Sequence, residues 1–315
     1  MNIPELLKTD IPEFSFQVFI SGEVKNKKAG KHCGLKFTVI NDLFVNLSGS
    51  LHKYHNAGKH NHNDFAVEDL FKVMADLTNK FQINPFLASL HNLEFGVNVE
   101  LPMDAKEFLN AIISYKGKEY EKREFEGGGY MLRFRFNHYE LKIYDKGLQY
   151  GINKNLLRIE IKVKKMEYFT ARKIQIQTFA DLLNINETKK LIPLLLSAIS
   201  ELLIYDNTIP VKELRRRERE LLLNGRNPKF WSALKQNNKE NLKYKRRRFR
   251  ELVSRFGKND FQKIVLELAK TKLLSLTEMD DKLKEKIALY LNSFSIKSYP
   301  EITTFERATP TNEER

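Results

Sequence analysis

The sequence predicts an α+β fold: an antiparallel β-sheet domain flanked by helices over residues 1–204, followed by a basic all-α C-terminal region over 205–315. Three observations predict it. Runs that alternate apolar and polar residues recur between about residues 14 and 165, the mark of half-buried strands. Helical periodicity interrupts these runs and takes over from about residue 187. The charge is unevenly spread: the chain has a formal net charge of +14, and residues 212–258 carry 17 Lys and Arg against 5 Glu, a local net of +12.

FSFQVFISGEV (14–24) alternates and reads as a first strand. A Gly- and Lys-rich turn follows through Gly34, and LKFTVINDLFVNLSGSL (35–51) reads as one or two further strands. SGSLHKYHNAGKHNHNDF (48–65) is rich in Asn, Gly and Ser, has no alternation after Leu51, and reads as a loop. VEDLFKVMADLTNKF (67–81) places Leu70, Phe71, Met74 and Leu77 on one helical face, with acidic residues in its first turn. HNLEFGVNVEL (91–101) alternates again, with Leu93, Phe95, Val97 and Val99 opposed to Glu94, Gly96, Asn98 and Glu100. Met103–Lys116 is expected to be a crossover helix, and the glycines at 127–129 break the chain before YMLRFRF (130–136).

Residues 136–165 organise the domain. Tyr139, Leu141 and Ile143 share one face of a strand, and His138, Glu140, Lys142 and Tyr144 share the other. In the next strand Leu157, Ile159, Ile161 and Val163 oppose Arg158, Glu160, Lys162 and Lys164. If the two are neighbours, they present one polar surface able to hold a metal ion and a phosphate backbone together. MEYFTARKIQIQTFADLLN (166–184) is helical in part, with Tyr168 near its start. TKKLIPLLLSAISELLIYD (188–206) is helix-like, and two basic helices follow, separated by NGRNP (224–228). Phe249, Leu252, Val253 and Phe256 form an apolar stripe on the second, two more helices follow over 261–274 and 280–294, and the polar end ATPTNEER is expected to be disordered.

Composition narrows the function classes. No apolar run reaches the roughly 18 residues of a membrane span. The N-terminus lacks the basic-then-apolar layout of a secretory signal. The lone Cys33 leaves no internal disulfide and no multi-cysteine zinc site. These features point to the cytoplasm. The basic segment points to a polyanionic partner, nucleic acid before an anionic membrane surface. A merely solvated lysine-rich face is the plain alternative, but the Arg triplets 215–217 and 246–248 argue against it.

Glu94 and Glu100 on one side of a strand offer hard oxygen ligands of the kind Mg2+ or Mn2+ takes, with Gly96 leaving room between them. An ordinary solvent-facing strand side is the alternative reading. Four of the seven histidines, His52, His55, His60 and His62, crowd the 48–65 segment. His60–x–His62 has a metal-ligand spacing, but its loop-like setting equally suits phosphate contact or loop hydrogen bonding.

Four segments in order resemble the replication initiators of filamentous phages, the gene II and gene X proteins, and their plasmid relatives. SGSLHKYHNAGKHN resembles the family's Gly-Ser…Lys…Gly-His-Asn segment, and HNLEFGVNVEL its Arg-Ile-Asp strand. YELKIYDKGLQ resembles its Leu-Lys-x-Tyr-x-Lys…Glu segment, and LLRIEIKVKKMEYF its Leu-Arg-Ile-Glu strand. Together they span about residues 48–170. Glu94 stands where the family usually has Asp, Gln149 stands near its Glu, and the His–apolar–His pair of many rolling-circle enzymes is absent.

The resemblance implies a small antiparallel sheet flanked by helices and an enzyme that nicks one strand of an origin duplex. A tyrosine becomes linked to the 5′ phosphate, the freed 3′-OH primes synthesis, and the displaced strand is later rejoined into a circle. Mg2+ or Mn2+ would be held by Glu94, Glu100, Glu160 and Asn98. Tyr168, which follows the Glu160 strand, is the first candidate nucleophile, with Tyr144 and then Tyr54 behind it. A phenol with a pKa of about 10 needs nearby cations to ionise, and Lys142, Lys146, Lys164 and Lys165 are candidates for that and for gripping phosphate. Lys53 and the arginines Arg215, Arg216, Arg217, Arg246, Arg247 and Arg248 would bind origin DNA, single- or double-stranded, with a host helicase as a further partner. Two other readings compete: a non-enzymatic DNA-binding protein for replication control or packaging, and an RNA-binding protein that stacks bases on exposed sheet aromatics.

Overall fold

The computed structural model describes residues 14–18, 24–126 and 128–295. The continuation of the first predicted strand over 19–23 and the tail expected to be disordered lie outside the described residues. The fold is α+β, with antiparallel sheets flanked by helices.

The first sheet is a meander of β1 (Phe14–Val18), β2 (Val24–His32), β3 (Leu35–Ile40) and β4 (Phe44–Gly49) in chain order. Asn41 and Asp42, with left-handed φ of 53° and 52°, make the turn in the three-residue β3–β4 connection, closed by the Leu43 amide donating to the Ile40 carbonyl at 3.1 Å. Leu35, Phe37 and Val39 bury the inner face of β3. The ring of Phe37 lies 4.7 Å from that of Phe81, at the end of helix Val67–Phe81. The predicted loop at 48–65 begins instead with a helical turn, α1 (Leu51–His55), because the Ser50 side chain caps the Lys53 amide. The helix predicted over 67–81 is α2.

The second sheet has the order β5 (Leu93–Glu100), β10 (Leu156–Val163), β9 (Tyr139–Asp145), β8 (Tyr130–Arg135) and β7 (Glu121–Glu124), every pair antiparallel. The two organising strands are thus neighbours. Glu160 faces Gly96 on one side and Lys142 on the other, while Arg158 faces Asn98 and Tyr144. Leu141, Ile143, Leu157, Ile159, Ile161, Val97 and Val99 bury the apolar face. Helices α3 (Ala105–Ala111), α7 (Leu191–Ser200) and α11 (Phe261–Leu276) pack against these strands. Short helical turns α4 (Lys146–Tyr150), α5 (Glu167–Thr170) and α6 (Ile185–Thr188) lie between the longer elements.

The expected helix over 103–116 is only half realised. It ends at Ala111, and Ile112–Tyr115 form β6, paired with β11 (Leu202–Ile204) in a small third sheet. Ile112 and Ile113 are β-branched, and all four residues of β6 are buried, so an extended strand that packs on both sides replaces the helix. The helix read over 188–206 likewise ends at Ser200, ahead of β11.

Helices α8 (Arg216–Gly225), α9 (Pro228–Asn237) and α10 (Lys239–Phe256) enclose a separate core of Leu222, Trp231, Leu242 and Phe249, joined by Ile113 and Leu203. The division expected near 205 therefore separates two cores only as far as Phe256. Beyond it, α11 and α12 (Asp281–Ser295) return to the main core through Val265, Ala269 and Ile287. The Tyr290 hydroxyl lies 2.6 Å from Thr78 Oγ1.

The three-helix core has no slack at Gly225. A Cβ there would stand 2.5 Å from the Phe249 ring and 3.0 Å from Trp231, whose indole N–H donates to the Gly225 carbonyl at 2.7 Å. Gly225→Ala is expected to lower stability by about 1–3 kcal/mol through overpacking, read as a lower thermal midpoint and a lower urea midpoint.

Candidate functional site

The polar face of the second sheet gathers charges that strand alternation brings into register. Lys142 on β9 reaches between two carboxylates, 2.6 Å from Glu94 Oε2 on β5 and 3.1 Å from Glu160 Oε1 on β10. Arg158 Nε donates to the other Glu160 oxygen at 3.0 Å, and Arg158 Nη1 donates to Asn98 Oδ1 at 3.3 Å. The Tyr144 hydroxyl donates to Glu160 Oε2 at 3.3 Å and accepts from Lys146 Nζ at 3.4 Å. Acidic side chains from two strands thus converge on one cation with a phenol alongside; the cation is an ammonium of the protein.

Lys146 sits here because Asp145, capping α4 through the Leu148 amide at 2.9 Å, fixes the first turn of that helix against the sheet. Only 2% of Lys146 is exposed. Its ammonium also lies over the Tyr150 ring, 4.9 Å from the centroid.

A loop over 56–66 adjoins the cluster. The Asn98 amide donates to the carbonyls of Asn61, His62 and Asn63 at 3.1–3.3 Å, and the Tyr150 hydroxyl donates to Asn61 Oδ1 at 2.8 Å. Asn56 Nδ2 bonds Asn63 Oδ1 at 2.8 Å, and His52 Nε2 meets the same oxygen at 2.7 Å. The rings of His60 and His62 stack 4.0 Å apart. The loop is therefore cross-linked by its own asparagines and tied to β5 and α4.

Burial and neighbours set the protonation states. Burial alone would raise Glu160, but Arg158 and Lys142 outweigh it and hold the carboxyl well below the usual carboxylate range. Glu94 goes the other way, pushed up by burial and by the Glu160 charge. Burial, then the Glu160 carboxylate, raises the Tyr144 phenol. Burial, then the Arg158 cation, lowers Lys146 to about 7. Burial lowers His52 to about 4, with Arg158 and Lys146 adding to the fall, so its imidazole is neutral at pH 7. Near neutrality this pocket holds a fixed guanidinium, a fixed ammonium and a second amine poised to exchange a proton.

Of the expected site residues, Tyr144, Lys146, Glu94, Glu160, Asn98 and Lys142 come together. Lys53 on α1 is close enough for its charge to act on Lys146. Glu100 stands apart, exposed and paired with Lys154 at 3.0 Å. Tyr168 is on the other side of the sheet: its ring packs 4.8 Å from that of Tyr139, a residue of the apolar face, and under the Arg172 guanidinium. That placement separates it from every carboxylate of the cluster, because Tyr139 and Tyr144 point to opposite faces of β9. Tyr54 donates to Asp76 on α2 at 2.6 Å and is a packing residue. Lys164 and Lys165 follow β10 at the far end of the sheet, with Lys164 3.7 Å from Glu140. Arg215, Arg216 and Arg217 are exposed at the start of α8. Arg247 and Arg248 pair with Glu251, at 3.7 and 2.6 Å, while Arg246 turns inward to Glu201 at 2.6 Å.

The four ligands expected for Mg2+ or Mn2+ do not assemble. Glu100 is elsewhere, the Asn98 oxygen is taken by Arg158, and Lys142 stands between the remaining two carboxylates. Among the described residues no group of three or more His, Cys, Asp and Glu is placed to hold a metal ion. The donor set as arranged does not fit a resident divalent ion, which would have to displace the Lys142 ammonium. Arg158 and Tyr150 were not singled out as functional by sequence. The alternation already put Arg158 on the polar face, whereas nothing in the pattern of residues 146–150 tied Tyr150 to the distant 56–66 loop.

No family model, no curated protein and no solved structure matches this chain.

Removing the Arg158 guanidinium leaves Glu160 buried beside an ammonium shared with Glu94. Arg158→Met is expected to cost about 3–5 kcal/mol, the range for breaking a buried pair. Because the folded Glu160 carboxyl titrates below its unfolded value, its stabilisation is present above the unfolded pKa and is lost as pH falls through the folded one. The variant raises the folded value, so its acid unfolding should begin at higher pH, as read by urea titrations between pH 7 and 3.

Proposed function

We propose that this chain is a rolling-circle replication initiator, an enzyme that nicks one strand of an origin duplex through Tyr144 and later rejoins the strand. One observation carries the reading. The four sequence segments that resemble the phage and plasmid initiators, spread over residues 48–170, each contribute to one polar site with a tyrosine hydroxyl 3.4 Å from a buried lysine amine.

The chemistry follows from these residues. The Tyr144 oxygen attacks the scissile phosphorus while its proton passes to the neutral Lys146 amine. The bond from phosphorus to the 3′ oxygen breaks, the 5′ phosphate stays on Tyr144, and the 3′ oxygen takes the proton back from the Lys146 ammonium. Lys146, titrating near 7, is matched to both transfers. Charge developing on the phosphoryl oxygens is met by Arg158, with Lys53 and Lys142 close by. Ligation is the same sequence reversed, with a 3′-OH attacking the phosphotyrosine. Origin DNA is the partner in this reading, held in part through the phosphates by exposed Arg216, Arg217 and Lys243. No helix is long and apolar enough to cross a membrane among the described residues. The reading further implies a cytoplasmic protein working beside a host helicase.

A second reading has its own support. Tyr144 is only 6% exposed, and the carboxylates around it are already neutralised by protein cations. A purely structural ion network, in a DNA-binding protein that cuts nothing, has the same appearance.

Supercoiled origin DNA incubated with Mg2+, Mn2+ or a chelator separates the two. The enzyme reading expects open circles and a covalent protein–DNA adduct. Tyr144→Phe should abolish the adduct, and Tyr168→Phe should retain it. Binding without open circles or adduct in any of the three conditions would leave the second reading. The nicking rate should rise with pH through about 7 as the Lys146 amine loses its proton. Lys146→Met should flatten that profile and slow nicking roughly 10²–10⁴-fold, the usual worth of general acid–base catalysis.

A further inference from the structure

Away from the polar cluster, a second concentration of cations lies where the sheet domain meets the basic helices. Four rings run in a strip: Tyr115 to Phe136 at 5.5 Å, Phe136 to Tyr139 at 4.8 Å and nearly parallel, and Tyr139 to Tyr168 at 4.8 Å. Cations edge this strip. Lys116 lies over Tyr115 at 5.3 Å, Lys118 and Lys235 both lie over Phe136 at 5.1 and 5.2 Å, and the Arg172 carbon lies 3.7 Å from the Tyr168 centroid. Next to it, Arg246 and Arg250 of α10 converge on Glu201 at 2.6 and 3.8 Å.

The local chain builds this arrangement. Lys116 and Gly117 take φ of 51° and 66°, turning β6 tightly so that Lys116 and Lys118 flank one hairpin tip. That tip packs on Leu242 and Lys235, which ties the sheet domain to α9 and α10.

Six cations therefore adjoin two carboxylates, Glu201 and Glu119, and Glu119 already accepts from Ser232 Oγ at 2.5 Å. The cations crowd one another: burial lowers Lys116, Lys235 and Arg250, and neighbouring cations, Arg246 among them, lower each further. Burial also leaves Arg246 Nε and Arg250 Nε and Nη2 without a hydrogen-bond partner. The group that would relieve the repulsion among these cations is an anion with several oxygens, which lysine and arginine donors bind through charge-assisted hydrogen bonds.

We infer that this junction is a second phosphate-binding site, built by Lys116, Lys118, Lys235, Arg246 and Arg250, which seats the DNA backbone away from the nicking centre. It rests on the DNA-binding half of the proposed function and not on the nicking half.

The test is DNA affinity across a salt series, with the full chain and both single-stranded and duplex oligonucleotides. The variant is Lys116→Gln combined with Lys235→Gln. For two lost phosphate contacts the slope of log affinity against log salt should become shallower by about 1.8 on duplex and about 1.4 on single strands. The variant's thermal midpoint should stay level or rise, because like charges are removed; a structural role would lower it. Tyr144→Phe, as control, should keep the wild-type slope. Unchanged slopes on both DNA forms in the double variant would overturn the inference, whether or not the wild type nicks. A wild type that binds DNA without forming an adduct, together with a shallower slope in the variant, would remove the nicking proposal and support this one. A nucleoside triphosphate bound by wild type and not by the variant, with equal DNA slopes, would assign the site to a free phosphate compound and overturn the DNA assignment.

Discussion

Burying the Glu160 carboxylate imposes conditions that much of the polar face meets. A carboxylate at 3% exposure has given up nearly all its water, a cost of several kcal/mol that only close cations and hydrogen bonds offset. Arg158, two residues earlier on the same strand, reaches one oxygen, and Lys142, directly across the ladder, reaches the other. The third neighbour must be small. A Cβ on Gly96 would run into the Ile159 carbonyl and stand 2.6 Å from the Glu160 Cβ, so the glycine lets β5 close on β10 at this point. Once β5 is there, Glu94 shares Lys142 and Asn98 meets Arg158, and Asn98 in turn fastens the 56–66 loop. A single buried charge thus reaches, link by link, to a loop about a hundred residues away from it in the chain.

The same field prepares the amine. Arg158 is needed to hold Glu160 ionised, and its charge also disfavours a second cation at Lys146, which burial already penalises. The two lysines of one pocket therefore separate in role. Lys142, between two carboxylates, keeps its proton, whereas Lys146, beside a guanidinium and under Tyr150, gives it up near neutrality. Environments that push like groups apart in pKa are the usual basis for dividing fixed-charge and proton-transfer duties within one site.

Period-two alternation made the sheet legible. Faces assigned to residues 93–100, 139–144 and 157–164 are the faces the strands present, since a half-buried sheet has only one way to hide its apolar residues. Alternation carries no information on partners across space. It could not reveal that Lys142 would stand between the carboxylates where a metal ion was expected, or that Glu100 would turn to Lys154. Chain order alone did not place Tyr168, because the short turn after β10 carries the chain from the end of that strand to the apolar side. Residues 112–115 deceived for a different reason. Four buried residues have no polar face to set a period, and helix and strand look alike without one.

The two cation-rich regions meet the same strand from opposite sides. Tyr144 belongs to the polar cluster and Tyr139 to the ring strip, five residues away along β9. At about 3.4 Å per residue they are about 17 Å apart along the strand. DNA rises about 3.4 Å per nucleotide along each strand of a duplex, so this distance corresponds to about five base-pair steps. A backbone held at both places would also pass around the sheet, which lengthens its path. On that proposal, a phosphate in the junction would fix the register of the DNA several nucleotides from the bond that Tyr144 attacks. On the nicking reading proposed above, such a division would let grip at the junction survive the moment when the scissile bond no longer exists.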